Sequence, residues 1–280
     1  MLPALGLYRL GCLGPSVPDG RDRLLPPRAA APGERPLEVF LATKVQTWQG
    51  AQGSCVAHTL TQLLEDAVLL ATGAQIDLSI AFVYYLARAR RQWQALDSGS
   101  FFRDAIDVGR KEGVSPDLLM PYRPAVWDQA PSRAALEAAA RNRASAFFET
   151  PTSAAIVDAM VQGHPVGVCW TVAENVEKTG KTGVLPPPEG KRLGAHCWEL
   201  DGYSRDPSRT PGPGLWFLSK NTWEKNPDGS PWGIGHPLRD TDQRFVRHRQ
   251  GRCWVPAAFV DGKESFDRFA VLRFPVERVA

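Results

Sequence analysis

The stretch Cys55 to Thr72 (CVAHTLTQLLEDAVLLAT) carries a long apolar helical repeat that begins at a cysteine, directly after the glycine-broken loop Gln49-Gly-Ala-Gln-Gly-Ser54. This layout constrains the fold most. It demands a buried helix whose first turn presents a thiol to the backbone N–H groups that no helix satisfies internally. Ser54 and Gly73 stand at the positions of an N-cap and a C-cap. Gln49 can fold back over the helix start because Gly50 and Gly53 lie between it and Cys55.

The chain has 280 residues, enough for one large domain or two lobes with a sizeable core. A net charge of +3 is too small to argue for nucleic acid as a partner. The basic run from Arg239 to Arg252, with Arg244, Arg247 and Arg249, reads as a solvated loop. Cys12, Cys55, Cys169, Cys197 and Cys253 are odd in number and widely spaced, unlike a disulfide framework. Cys169 and Cys197 lie in apolar strand-like runs and read as inert core thiols. No segment is long and apolar enough to span a membrane, and the N-terminus lacks the order of an export signal. A soluble cytoplasmic monomer is the expectation.

Residues 1–36 are rich in Pro, Gly and Arg and read as an extended arm. Helices are expected over 55–72, 78–91, 100–111, 132–144 and 153–161. Strands rich in Val, Trp and Phe are expected over 165–172, 197–203, 215–219 and 268–274. Helices come first and strands later, which predicts an α+β protein with two lobes. The helical lobe is placed at about 50–150 and the β-rich lobe at about 151–280, with a Pro-rich loop at 183–190 beside the histidine of the second lobe.

Three short segments carry chemistry. A thiol attacks a carbonyl as thiolate, so its ordinary pKa must be lowered by a helix N-terminus, a cation or both. Cys55 has the first. His196, at the end of Gly194-Ala-His196 and opening an apolar strand, is the candidate base and would supply the second as imidazolium. Asn221, in Lys220-Asn221-Thr-Trp223, can hold the His196 ring while Trp223 shields that bond from water. The Gln49 amide and the Cys55 N–H are the candidate oxyanion donors.

These segments resemble the papain-like cysteine peptidases of papain and the cathepsins. The family's Gln-Gly-x-Cys-Gly-Ser-Cys element matches Gln49 to Cys55. Its Gly-x-His element ending in Gly-Tyr matches Gly194-Ala-His196 through Gly202-Tyr203. Its Lys-Asn-Ser-Trp element followed by Trp-Gly matches Lys220 to Trp223, then Trp232-Gly233-Ile-Gly235. The resemblance covers most of residues 36–280. It implies a two-lobed fold with a β-barrel-like second lobe, and peptide or protein substrates bound in the cleft between the lobes. It also implies Cys55 as nucleophile, His196 as acid–base, Asn221 as orienter and Gln49 as oxyanion donor, with no cofactor or metal. Ser98-Gly99-Ser100 stands where the family places a Gly-Gly pair whose backbone binds substrate as an added strand. Gly53, Ser54, Gly99, Ser100, Ala195 and Trp223 are therefore expected to line the substrate site.

The departures are specific. The family's disulfide cysteine before the nucleophile is Gln52 here, and Val56 and His58 replace two aromatics behind it. The arm is too short for the long inhibitory pro-segment of secreted members and resembles that of bacterial members lacking one. His58 is a rival base, since i and i+3 neighbours on a helix can touch. Zinc bound by Cys55, His58, His196 and Cys197 is disfavoured, because adjacent strand residues face opposite ways. An acyl-transferase or isopeptidase on the same site, and a binding protein with a vestigial site, are the alternative functions.

Overall fold

The computed structural model describes residues 10–20, 22–26, 35–225, 230, 232–234 and 251–274. Helix α1 spans Cys55–Thr72. It stops where Gly73 turns left-handed at φ 75° and its N–H closes on Leu69 O at 2.8 Å. The helix is buried almost all round through its first three turns, as expected of an apolar helix at the centre of a lobe. Ser54 occupies the N-cap position but its side chain caps nothing. Around α1 pack α2 (Ile80–Ala89), capped by Ser79 Oγ, and α3 (Phe102–Lys111). α4 (Arg133–Ala139) is shorter than its apolar pattern, because the chain turns at Asn142 so that the Asn142 carbonyl accepts Val114 N–H.

The strands β1 (Arg23–Leu24), β2 (Glu38–Phe40), β3 (Ala146–Glu149), β4 (Val166–Ala173), β5 (Arg192–Ser204), β6 (Trp216–Lys220), β7 (Arg252–Pro256) and β8 (Ser265–Arg273) form one sheet. Its path is β1-β3-β8-β4-β5-β6-β7, with β2 added to the far end of β5. The β-barrel-like lobe is thus an open sheet. α5 (Ser153–Val161), α6 (Glu177–Thr182) and α7 (Ala257–Val260) accompany it. The short elements β1, β2, β3, β7, α6 and α7 carry no periodic signal of their own. No helix among the described residues is long and apolar enough to cross a membrane.

The longest pairing, β4 against β5, sets Cys169 opposite Cys197 and Trp170 opposite His196. Side chains alternate across a sheet, so the two strands serve two cores. Cys169 and Cys197 face the cluster built on α1, while Trp170 and Trp198 join Trp223 and Trp232 in the other. β5 begins at Arg192, four residues ahead of the expected opening at His196, so the histidine lies within the strand and is held on both sides.

Buried ion pairs tie strands of the sheet to one another. Lys220 meets Glu199 at 3.0 Å, and Arg252 meets Asp201 at 2.8 Å, all with fully buried side chains. Arg252 corrects the expectation of a solvated basic loop through 252. It opens β7 and must be buried to neutralise Asp201, which also accepts Thr43 Oγ1 at 2.8 Å. The rest of that run, residues 239–250, and Gly235 of the tryptophan-glycine motif lie outside the described residues.

Candidate active site

His196 Nε2 and Asn221 Oδ1 are 2.7 Å apart, and both residues are fully buried. Trp223 stacks on the imidazole, with ring centroids 4.1 Å apart and planes inclined by 25°. Trp198 meets the ring edge-on. Asn221 Oδ1 also accepts the Thr222 N–H at 2.7 Å, and Asn221 N–H is tied to Gly251 O, so the acceptor cannot rotate away. One ring nitrogen is thereby committed. His196 Nδ1 is buried and has no hydrogen-bond partner among the described residues. Burial lowers the imidazole to about 3, and the Asn221 bond only partly opposes this.

The thiol of Cys55 lies at the first residue of α1. Its sulfur accepts the backbone N–H groups of Cys197 and Gly11, which lower its pKa. Burial nonetheless drives the thiol well above its ordinary range, with Cys12 and Cys197 adding to the rise. The bond from Cys197 N–H places the sulfur against the peptide that follows His196. As it stands the site holds a neutral thiol and a neutral imidazole.

The Gln49 loop is pinned from both ends. Gln49 N–H donates to Thr222 O at 3.0 Å, Thr222 Oγ1 donates to Gln49 Oε1 at 2.5 Å, and Gln49 Nε2 donates to Gln52 O at 2.8 Å. The loop therefore carries its amide beside the helix start and is fastened to the residue after Asn221. Ser54 is turned into the loop, with its hydroxyl 2.7 Å from Tyr122 Oη, which itself donates to Gln49 O. It does not line an open cleft.

Residues 10–13 belong to the segment read as an extended arm. They lie across the site as an added strand. Cys12 N–H donates to Ala195 O at 3.3 Å, Ser100 N–H to Gly11 O at 2.8 Å, and Leu13 N–H to Ser100 O at 3.2 Å. Gly99, Ser100, Gly53 and Ala195 thus meet at one groove, and the arm fills it. The fit admits only glycine at position 11, since a Cβ there would stand 2.0 Å from Gly53 O. Further along, Ser16 donates to Asp267 through N–H and Oγ, and Asp22 pairs with Arg103 through both carboxylate oxygens. The arm holds on by non-local pairing, for which no local signal exists beyond an isolated glycine in an apolar run.

His58 lies behind the site and is turned to Thr47 and Tyr122. Its Nδ1 lies 2.7 Å from Thr47 Oγ1 and its ring meets Tyr122 edge-on. Burial lowers its pKa to about 3. No cluster of His, Cys, Asp or Glu among the described residues could hold a metal ion.

Solved structures resemble this arrangement over nearly the whole chain. Xylellain, a cysteine protease from Xylella fastidiosa, is 20% identical with a TM-score of 0.75, covering 94% of this chain and 95% of its own. Procathepsin B S9 from Trypanosoma congolense is 14% identical with a TM-score of 0.71 over 96% and 88%. The fold is papain-like. Bromelain from Ananas comosus, solved with the inhibitor E64, is 16% identical with a TM-score of 0.62, over 85% of this chain and 100% of its own. No protein-family profile matches the sequence, and no curated protein is similar to it in sequence. Within the papain-like frame the α+β composition and the α1 helix fall where the sequence leads one to expect them, while an open sheet stands where a β-barrel-like lobe is expected. Gln52, at the position of the family's disulfide cysteine, instead donates weakly to Pro124 O at 3.3 Å. All five cysteines are free.

Proposed function

We propose that this chain is a cysteine peptidase that hydrolyses peptide bonds through Cys55 and His196 and is latent while its own arm fills the cleft. The observation that carries the reading is the His196 Nε2 to Asn221 Oδ1 bond at 2.7 Å under Trp223. It commits one ring nitrogen and leaves Nδ1, on the side of the ring that Asn221 does not occupy, to exchange a proton with a thiol.

On this reading arm release rehydrates the cleft, and the burial that holds Cys55 and His196 neutral falls away. Proton transfer then gives a thiolate at the N-terminus of α1 beside an imidazolium. The thiolate adds to the scissile carbonyl, and the Cys55 N–H and Gln49 amide receive the developing oxyanion. His196 donates its proton to the leaving amine, leaving a thioacyl-enzyme. The same ring takes a proton from water to release the acid and regenerate the thiol. The arm itself is spared because it presents the Gly11 N–H to the sulfur. The Gly11 carbonyl is engaged by Ser100.

The test is hydrolysis of fluorescein-labelled casein by the full chain and by Gly11→Ala, whose new methyl cannot coexist with Gly53 O. Gly11→Ala should hydrolyse casein and the further change Cys55→Ala should abolish it. An arm-released protein that reacts no faster with iodoacetamide than a free thiol, and cuts no casein, would make the site vestigial.

A further inference from the structure

Two segments on the helical side of the groove, opposite Ala195, come from separate parts of the chain. One is the loop Gly53-Ser54-Cys55 at the head of α1. The other is Gly99-Ser100, where the Ser100 backbone pairs with Gly11 and Leu13 of the arm. No disulfide joins them. The connection is instead made by one carboxylate and one phenol. Asp97 Oδ1 accepts the Gly53 N–H at 2.9 Å and the Tyr84 hydroxyl at 2.5 Å. Tyr84 Oη in turn accepts the Gly99 N–H at 3.2 Å. The convergence is tight: a Cβ on Gly53 would stand 3.3 Å from Asp97 Oδ1, 3.3 Å from Tyr84 Oη and 3.4 Å from Gly99 N.

The pair is itself held rigidly. Tyr84 is buried on α2. Arg88, one turn on and fully buried, lies over the Tyr84 ring at 3.8 Å from its centroid. Its guanidinium donates to Tyr84 O and Gln94 O at 3.0 Å each, and to Leu96 O and Trp127 O. Arg88 thus shapes the loop that delivers Asp97. Burial and the Asp97 carboxylate push the Tyr84 phenol well above its ordinary pKa, so it remains a donor throughout the working range of any peptidase.

We propose that Asp97 and Tyr84 are positioning residues that set the spacing between the nucleophile loop and the substrate-pairing strand. The proposal rests on the peptidase reading for its kinetic consequences only. Asp97 orients the Gln52–Gly53 peptide, two residues before the thiol. Tyr84 passes the same anchor to Gly99, next to the residue whose N–H and C=O bind the arm. Removing the carboxylate leaves the Gly53 N–H and the Tyr84 hydroxyl without their acceptor and lets both segments relax. Misplacement of reacting groups by a fraction of an ångström lowers catalysis without any loss of a catalytic group.

The experiment compares Asp97→Ala, Asp97→Asn and Tyr84→Phe in the Gly11→Ala background. Rates on fluorescein-labelled casein are normalised to the thiol that iodoacetamide alkylates faster than a free thiol, which leaves out the cysteines of unfolded protein. Asp97→Ala should lower kcat/KM about tenfold, with kcat and KM both affected. Asp97→Asn should recover most of this, because its amide oxygen can accept the same two donors. Tyr84→Phe frees Gly99 and takes one donor from Asp97 but leaves the Asp97 bond to Gly53, and should raise KM several-fold with kcat within about twofold. An unchanged kcat/KM per titrated thiol in Asp97→Ala overturns the proposal, whatever happens to its melting temperature. Should Asp97→Ala not fold, an unchanged KM in Tyr84→Phe overturns it instead. If the parent cuts no casein, the peptidase reading fails and the iodoacetamide rate at Cys55 decides. A change of about tenfold in Asp97→Ala then supports positioning, and a rate within about twofold of the parent overturns it.

Discussion

Lys220 Nζ and Asp66 Oδ2 meet at 2.5 Å with neither side chain exposed to solvent. Asp66 lies on the helix that begins at Cys55, and Lys220 immediately precedes Asn221. The pair therefore fastens the helix of the proposed nucleophile to the strand end that holds the histidine's partner. Burial pulls the Lys220 ammonium down, but Asp66 and Glu199 outweigh it and hold its pKa above the ordinary lysine value. Asp66→Ala would leave a buried cation with Glu199 alone and strand Lys44 N–H, which now donates to Asp66 Oδ1 at 2.6 Å. The expected loss is about 3–5 kcal/mol of unfolding free energy, read from denaturant titration. A loss below about 1 kcal/mol would mean that Glu199 suffices.

Glu65, the neighbouring residue on α1, sets a pH dependence. Burial raises its carboxyl to about 7, against the pull of Lys44 at 2.9 Å and the Leu78 N–H at 2.7 Å. A carboxyl whose folded pKa is raised binds its proton more tightly in the folded state. Its contribution is full below the unfolded value of 4.5 and is lost as pH rises through about 7. Glu65→Gln mimics the protonated form. The variant should therefore gain on the wild type between pH 5 and pH 8 in thermal unfolding. A difference in Tm that stays constant across that range would place the Glu65 titration elsewhere.

What the sequence makes legible follows locality. Helix α1 can be read to the residue because its apolar face, glycine stop and loop are contiguous, and the fold obeys them. Asn221 and His196 can be paired only by motif, since the register that brings β5 and β6 together is long-range. The arm is illegible for the same reason. Gly11 finds Gly53, Gly99 and Ser100 across the chain, and nothing near position 11 announces them. Asp97 carried one faint signal, a carboxylate directly ahead of Ser98-Gly99-Ser100. Arg252 is hidden in a basic run that reads as one solvated unit, whereas this last member is drawn into the sheet by Asp201.

The protonation state of the covered site gives a prediction for thiol chemistry. With the arm in place, His196 is neutral at all pH values above about 3, and burial holds Cys55 as a thiol. Iodoacetamide should then react slowly through neutral pH, with a rate that rises only on the alkaline side. Gly11→Ala admits water and permits the ion pair. Its casein hydrolysis should follow a bell, rising through a low apparent pKa and falling through a high one. Equal alkylation rates in the two proteins at pH 7 would show that the arm does not control the thiol.

Gln49 has the most exacting test. Its Nε2 donates to Gln52 O and its Oε1 accepts from Thr222, so the side-chain amide is fixed at the head of α1 before any substrate arrives. Such pre-orientation is what makes an oxyanion donor effective, because no reorganisation is needed as charge develops. Gln49→Ala in the arm-released protein should lower kcat by ~10²–10³, about 3–4 kcal/mol, with KM little changed. Alkylation of Cys55 should remain fast, since that reaction builds no oxyanion. Loss of loop packing could imitate the first result, and Gln49→Glu separates the two causes. The carboxylate keeps an oxygen for the Thr222 hydroxyl but has no N–H to give, and it adds negative charge where the oxyanion forms. A donor role predicts that Gln49→Glu is at least as slow as Gln49→Ala while its Tm stays closer to that of the parent. Recovery of kcat in Gln49→Glu would reduce Gln49 to a loop anchor and leave the Cys55 N–H to stabilise the oxyanion without it.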